Sequence, residues 1–566
     1  MTIFPSFNVA ASLVLLWAAT VGASAGEPAL RFSDVTRESG LVFKLTSGAA
    51  PSREILEVNG GGVALFDYDG DDDLDVFLAN GATLDDTESG PGSRLYANTG
   101  DGKFVDVTSR VGLELKRWAM GVAVGDYDAD GDDDLYVTCF GPNVLLRNDA
   151  TEGGRKFVDV AAEAGVDDPR WGASAAFGDV DDDGDLDLYV ANYLEFDVAA
   201  PPPRTVFKGA PTFSGPVGLR APSDVFYENL GTGKFRDATR AANCLPSRPR
   251  YGMGVTILDL DLDGRQDIYV GNDSTANFLF RNLGGGKFEE VGVASGLAAN
   301  YDGRNQATMG IAVGDVDGNG YPDIFTTNFS SDTNTLHLNL GGGLFDDRTS
   351  QFGLAVVSRP FLSWGTGFFD FDSDGDEDLF VSSGHIYPEA TSYEIDSDYE
   401  QPALLFERSG KRFERRLDAG EMYTKAYSGR AAAFGDLDDD GDVDIVMLTL
   451  NELVRVFRND APRRDVVVVQ LTARGGNRHG LGSVVELIAG DHVQRRWIRG
   501  GSYQSVDAPV AYFGLGKAAG TPVRLRVRWA GGETVDYGKV PLNRKTLVVE
   551  GQTALRSVPL GGREGS

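Results

Sequence analysis

The pattern Asp-x-Asp-x-Asp-Gly-x-x-Asp recurs seven times in this chain, starting at Asp67, Asp126, Asp179, Asp259, Asp315, Asp370 and Asp436. Carboxylates at alternating positions of a tight turn aim several oxygens at one point, and a hard cation such as Ca2+ takes six to eight of them. The third copy is typical: Asp179, Asp181, Asp183 and Asp187 stand at positions 1, 3, 5 and 9, with Gly184 at position 6, where the turn requires a positive φ. The same roles fall to Asp126, Asp128, Asp130 and Asp134; to Asp259, Asp261, Asp263 and Asp267; to Asp370, Asp372, Asp374 and Asp378; and to Asp436, Asp438, Asp440 and Asp444. The first copy (Asp67, Asp69, Asp71, Asp75) has Asp72 in place of the glycine, a residue that tolerates left-handed backbone at some cost. The fifth (Asp315, Asp317, Asp323) has Asn319 at position 5, one charge fewer, and is expected to bind most weakly.

Without a cation, carboxylates crowded within a few ångström repel one another strongly. About seven Ca2+ ions are therefore expected as part of the fold. Mg2+ would take fewer protein ligands in a stricter geometry, and an EF-hand loop would lie between helices and end on a Glu at position 12. Here the flanks alternate with period two, as strands do.

The copies lie 59, 53, 80, 56, 55 and 66 residues apart, so a unit of about 55 residues is twice lengthened by insertion. Gly121–Asp126 leads into the second loop and Leu135–Thr138 leaves it, so the loop joins a β-hairpin. A further apolar segment ending in Asn follows, then Gly-rich turn residues and an aromatic strand, as in Phe226-Tyr-Glu-Asn229 and Phe235-Arg-Asp-Ala-Thr239. Four short strands per unit are the content of one propeller blade. An orphan Phe32-Ser-Asp-Val-Thr36 precedes the first loop, while the seventh unit stops after Val454–Asn459 without its last strand. Residues 32–36 are expected to complete the seventh blade, a closure that removes exposed sheet edges.

The units resemble FG-GAP (VCBS) repeats of integrin α-subunit-like propellers over roughly residues 30–460. Residues 464–550 look like the ASPIC/UnbV domain, through Asn477-Arg-His-Gly-Leu-Gly-Ser-Val-Val-Glu486, Arg496-Trp-Ile-Arg-Gly-Gly-Ser-Tyr503, Tyr512-Phe-Gly-Leu-Gly516 and Val527-Arg-Trp-Ala-Gly-Gly532. The combination is similar to the cartilage acidic protein 1 family, and it implies an architecture rather than a settled activity. The expected fold is all-β: a seven-bladed propeller over 26–462 and a small β-rich domain over 463–552, with a flexible tail at 553–566.

That C-terminal region alternates apolar residues between Gly-rich turns, which suggests a sandwich or barrel. It holds 14 Lys or Arg against 7 acids between Arg463 and Glu550. The whole chain has a formal charge of −33. Docking of the basic domain onto the acidic ring and a merely solvated basic face are both compatible with this asymmetry.

An apolar run from Val9 to Ala19 followed by Ala23-Ser24-Ala25 reads as a signal peptide, residues 1–25, and so as a secreted, periplasmic or cell-surface protein without a membrane span after cleavage. Cys139 and Cys244 are too few for a disulfide framework. The negative charge disfavours nucleic acid as a partner.

The two insertions, Tyr193–Ser223 and Ser383–Pro402, each follow a second strand, so they should project from the rim opposite the Asp loops, carrying Arg204, Lys208, Arg220, His385, Tyr387, Tyr393 and Tyr399. The four His residues are scattered, with no zinc-ligand or nucleophile-elbow motif. The expectation is a monomeric Ca2+-binding scaffold that recognises an extracellular protein or glycan. The alternative is a Ca2+-dependent polysaccharide lyase or hydrolase, marked by an Asp, Arg, Tyr or His cluster in the central cleft.

Overall fold

The computed structural model describes residues 32–561 except 394, 396 and 397; the expected signal peptide lies outside the described residues. The repeat region forms seven four-stranded antiparallel sheets in chain order. In the fourth, Tyr251–Leu258, Asp267–Asp273, Phe278–Asn282 and Phe288–Glu290 run from the ring axis outward. Each Asp loop joins first and second strands, so that position 9 becomes the first residue of the second strand, as Asp267 pairs with Leu258. The seventh sheet takes its outer strand from the other end of the chain: Phe32–Asp34 pairs antiparallel with the last strand of the repeats, Phe32 opposite Asn459.

Inner strands are rich in small residues, such as Gly172–Gly178 and Gly429–Gly435, and are buried along their length. Crowding at the axis explains this composition: a Cβ on Gly254 would stand 2.2 Å from the Met309 carbonyl oxygen, and one on Gly310 2.1 Å from that of Trp364. Each inner strand packs on the next, and that of the seventh sheet packs on that of the first.

Seven side-chain hydrogen bonds tie neighbouring sheets together at the Asp-loop rim. In six of the seven sheets an Asn toward the end of the third strand donates through Nδ2 to the carbonyl at position 2 of the preceding loop. Asn148 bonds Tyr68, Asn229 bonds Tyr127, Asn282 bonds Val180, Asn339 bonds Leu260 and Asn459 bonds Phe371, at 2.7 to 2.9 Å. In the sixth sheet Arg408 takes the role, Nη1 to Val316 O at 2.6 Å. Asn98 bonds Leu437 O at 2.8 Å, joining the first sheet to the seventh loop.

The C-terminal domain is a sandwich of two four-stranded sheets, one built around Val466–Thr472 and the other around Val484–Ala489. Its core of Val467, Val469, Leu487, Leu525 and Trp529 is continuous with that of the second and third sheets of the ring. The end of the chain departs from the flexible tail expected from 553. Arg556–Pro559 pairs with Arg544–Leu547 as an edge strand, and Leu560 is fully buried. An edge strand of mixed Arg-Ser-Val-Pro composition has no alternation to announce it.

Among the described residues no helix is long and apolar enough to cross a membrane. Cys139 and Cys244 are free thiols, both buried.

Candidate metal centres

Each Asp loop is a chain of short side-chain turns. In the second loop the Asp126 carboxylate accepts the N–H groups of Asp130 and Gly131, both at 3.0 Å. Asp130 accepts that of Asp132 at 3.0 Å. Asp134, at position 9, accepts Tyr127 N–H at 3.2 Å and Asn148 N–H at 2.8 Å. That second bond comes from the same Asn that ties the two sheets, so the loop and the tie are one network. The pattern repeats in the other loops, with Arg408 N–H replacing the Asn in the sixth.

Glycine at position 6 holds φ near +92° in the third and fifth loops, and Asp72 adopts φ +72° in the first. Position 4 of the loops is also left-handed. There Gly70, Ala129, Asp182, Leu262, Gly318, Ser373 and Asp439 all have positive φ. Left-handed Ala and Leu are costly outside a tightly determined turn, and no residue-type preference flags them.

Triads of carboxylates converge in these loops. Asp67, Asp69 and Asp71; Asp126, Asp128 and Asp134; Asp179, Asp181 and Asp183; Asp259, Asp261 and Asp263; and Asp315, Asp317 and Asp323 each place one oxygen per residue within 4.8 Å of the others. The sixth and seventh loops carry the same residue set, with Asp370 and Asp436 accepting the position-6 N–H at 2.8 and 2.7 Å.

The fit to a hard cation rests on oxygens with nothing else to bind. Oδ1 of Asp69, Asp128, Asp181 and Asp438 at position 3, and of Asp179 and Asp315 at position 1, is buried without a hydrogen-bond partner. Burying an unpaired carboxylate oxygen is strongly unfavourable unless a positive charge faces it. Burial, aided by neighbouring carboxylates, pushes Asp179 up to about 7 and Asp181 up to about 6. Burial likewise raises Asp75 and Asp323 to about 8. A divalent ion among these groups would supply the missing positive charge and keep them ionised.

The C-terminal domain sits on this rim and touches all seven loops. Lys545 reaches Asp72 O at 3.4 Å, and the Arg478 guanidinium bonds Gly131 O. His479 Nε2 lies 2.8 Å from Asp133, Gly476 N donates to Gly184 O at 3.0 Å, and Arg528 stands 3.6 Å from Asp259 Oδ2. Arg495 Nη1 is 3.0 Å from Asp315 Oδ2, Gly514 N donates to Asp370 Oδ2 at 3.2 Å, and Asp436 N donates to Tyr512 Oη at 3.2 Å. At Asp315 the guanidinium takes Oδ2, while Oδ1 stays buried without a hydrogen-bond partner. The basic face that sequence left between docking and solvation is docked.

From the same domain, the segment Gly500–Ala508 enters the ring along its axis. Val255 N donates to Ser502 O at 3.3 Å, Val122 N to Gln504 O at 3.2 Å, and Val506 N to Val63 O at 3.0 Å. Tyr503 is completely buried at its tip, with its hydroxyl on Asn59 O at 2.8 Å.

On the opposite rim, Tyr193 to Ser223 contributes a hairpin, Thr205–Phe207 with Ala210–Thr212, and packs Phe207 and Phe213 on Tyr387 of the second insertion. Of the basic residues expected there to face a ligand, Arg204 pairs with Glu389 and Arg220 with Glu195, while Lys208 lines a cavity.

Family models match this architecture. Four overlapping or separate stretches, 67–137, 126–190, 259–326 and 315–381, match the FG-GAP-like repeat, and 473–555 match the ASPIC and UnbV model. The chain carries FG-GAP-like repeats followed by an ASPIC and UnbV domain. Cartilage acidic protein 1 of Xenopus tropicalis is 25% identical over 505 residues, covering 83% of this chain and 70% of that protein. The Mus musculus protein of that name is 25% identical over 503 residues, covering 84% and 71%. Among solved structures, an Agrocybe aegerita lectin overlaps 64% of this chain and 83% of its own at 14% identity and a TM-score of 0.35. Rhamnogalacturonan lyase YesW overlaps 75% and 76% at 12% identity and a TM-score of 0.38. Overlaps this loose assign no activity. The ASPIC domain is the part that caps the FG-GAP-like loops.

Proposed function

We propose that this chain is an extracellular Ca2+-binding recognition module: a closed seven-bladed ring whose loops hold ions, capped on the ion side by the ASPIC domain and presenting the other side to a protein or glycan. The observation that carries this reading is the occupation of the ion-side rim. With seven loops covered and the axis filled by residues 500–508, the insertion face is the open end of the ring. There a cavity of about 780 Å3 lies between the packed insertions and the loop around Asn300 to Met309, within the usual size of ligand pockets.

The ions would be held by positions 1, 3, 5 and 9 of each loop, Asp67 to Asp444, with Asn319 in the fifth. When bound they supply positive charge to buried carboxylates and so stiffen the rim on which the cap rests. Extracellular Ca2+ is abundant enough to fill sites of even modest affinity, which agrees with the extracellular setting suggested by the relatives.

The lyase or hydrolase reading would need a reactive cluster in the cleft. His385 is buried, with Nδ1 accepting the Tyr387 N–H at 3.1 Å and Nε2 3.3 Å from Ser330 Oγ. Asp273 accepts the Tyr193 hydroxyl at 2.7 Å. These groups are committed to holding the cavity wall, which favours binding over turnover. Protein and glycan arrays probed with and without Ca2+ test the reading: Ca2+-dependent binding with intact glycan supports it, and depolymerised glycan overturns it.

A further inference from the structure

The cavity on the insertion face is blind. Met253, Met309 and Trp364 line it from the ring side, and Tyr503 closes the axis behind them with its ring 5.4 Å from that of Trp364. A blind pocket admits a chain end or a small molecule and cannot thread a polymer through the ring.

Its walls differ in chemistry. One is aromatic: Phe207 lies 5.8 Å from Phe329 and 5.4 Å from Tyr387, ring centre to ring centre. Lys208 Nζ, bonded to Ser331 Oγ at 2.6 Å, ties that hairpin across the mouth. On the other side a turn closed by Asn300 N on Arg304 O at 3.1 Å brings exposed Asp302, Arg304 and Asn305 to the lining. Among the described residues these three side chains make no ion pair or side-chain hydrogen bond with the rest of the protein. Arg359 adds a guanidinium that spends only Nε, on Ser331 O at 3.1 Å.

We infer that this cavity takes the end of an uncharged, hydroxyl-rich glycan, with a sugar face against the half-buried Phe207 and Phe329, which Tyr387 backs, and vicinal hydroxyls on Asp302, Arg304 and Asn305. The inference rests on the recognition reading above and narrows it. Aromatic rings offer an apolar surface with low conformational-entropy cost. Each sugar hydroxyl both donates and accepts, and the opposite rim matches this with an acceptor in Asp302, donors in Arg304 and both in Asn305. Charge decides against an anionic sugar. The lining cations Lys208, Arg304 and Arg359 are matched by Asp273, Asp302 and Asp332, and the chain as a whole carries −33, a field that repels anions.

The test uses the full-length protein in saturating Ca2+. Neutral trisaccharides of glucose, mannose and N-acetylglucosamine, a uronate trimer and a peptide library are titrated by calorimetry, with intrinsic tryptophan fluorescence as a second readout. At least one neutral trisaccharide is expected to bind saturably at one per chain. D302A/N305A, whose two positions are exposed, should weaken it at least tenfold without moving the melting temperature, and F207A should weaken it comparably. Binding confined to the uronate or to peptides, or binding unchanged in D302A/N305A, overturns the inference. A protein partner found on arrays without any saccharide would sink the inference and leave the recognition module standing, whereas no partner of any kind would sink both.

Discussion

Replacing Asn98 by alanine isolates the tie between the first and seventh sheets. Its Nδ2 donates to Leu437 O at 2.8 Å and Leu74 O at 3.1 Å, and its Oδ1 accepts Gly100 N at 3.1 Å. The residue is 5% exposed, so water does not readily replace it. Leaving buried carbonyls underbonded costs about 1–3 kcal/mol each, and one of the three partners is turn backbone that can reach solvent, so a loss of roughly 3 kcal/mol is expected. Unfolding entropy of about 2.1 cal/mol/K per residue over roughly 430 ring residues gives about 0.9 kcal/mol per degree, hence a fall of roughly 3 °C. The interior tie Asn282, with Nδ2 on Val180 O at 2.7 Å and Gln266 O at 2.9 Å, is the reference. Calorimetric melting in saturating Ca2+ should show N98A and N282A falling by similar amounts. A full loss for N282A beside a shift under about half a degree for N98A would refute a load shared around the ring.

Three further outcomes follow from the same structure. Tyr503→Ala should cost roughly 3–5 kcal/mol by emptying a fully buried aromatic volume at the ring axis, read as a lowered denaturant midpoint in Ca2+. Asn319→Asp restores the missing charge of the fifth loop, so calorimetric Ca2+ titration of the parent should resolve one weakest site that N319D abolishes. His337 is buried and burial holds its pKa below the ordinary 6.5; the unfolded chain therefore takes up the proton first as pH falls below about 6.5, and stability declines there by up to about 1.4 kcal/mol per pH unit. Burial also pushes His385 down to about 4, so His337→Asn should lessen that slope by about one proton's share and leave the share of His385; an unchanged slope would assign the acid sensitivity elsewhere.

Much of this architecture is written in the repeats. Asp-loop spacing, alternating flanks and the orphan segment at Phe32 point to sheets, hairpin loops and a strand borrowed from the other end of the chain. What escaped reading is what depends on neighbours in space. Asn148 or Asn229 at a strand end looks like turn punctuation, yet its amide spans to the previous sheet, and Arg408 performs the same task with no resemblance to Asn. Ala129 and Leu262 carry left-handed backbone because the surrounding side-chain turns impose it. Gly500-Gly501-Ser502 is visible as a Gly-rich segment, but only the ring explains it: a Cβ on Gly501 would stand 2.7 Å from Val255 O. Strand parity puts the insertions on the rim where they lie, while the pairing of Arg204 with Glu389 depends on two segments nearly two hundred residues apart.

The most direct test of the account is to count bound Ca2+ in dialysed protein by elemental analysis and to melt the same sample before and after chelation. About seven ions per chain are expected, with a marked fall in melting temperature and new proteolytic cleavage between ring and cap once they are removed. Protein that holds no Ca2+, or that melts and resists protease identically after chelation, would contradict the claim that ions at the Asp loops hold the ring and its cap together.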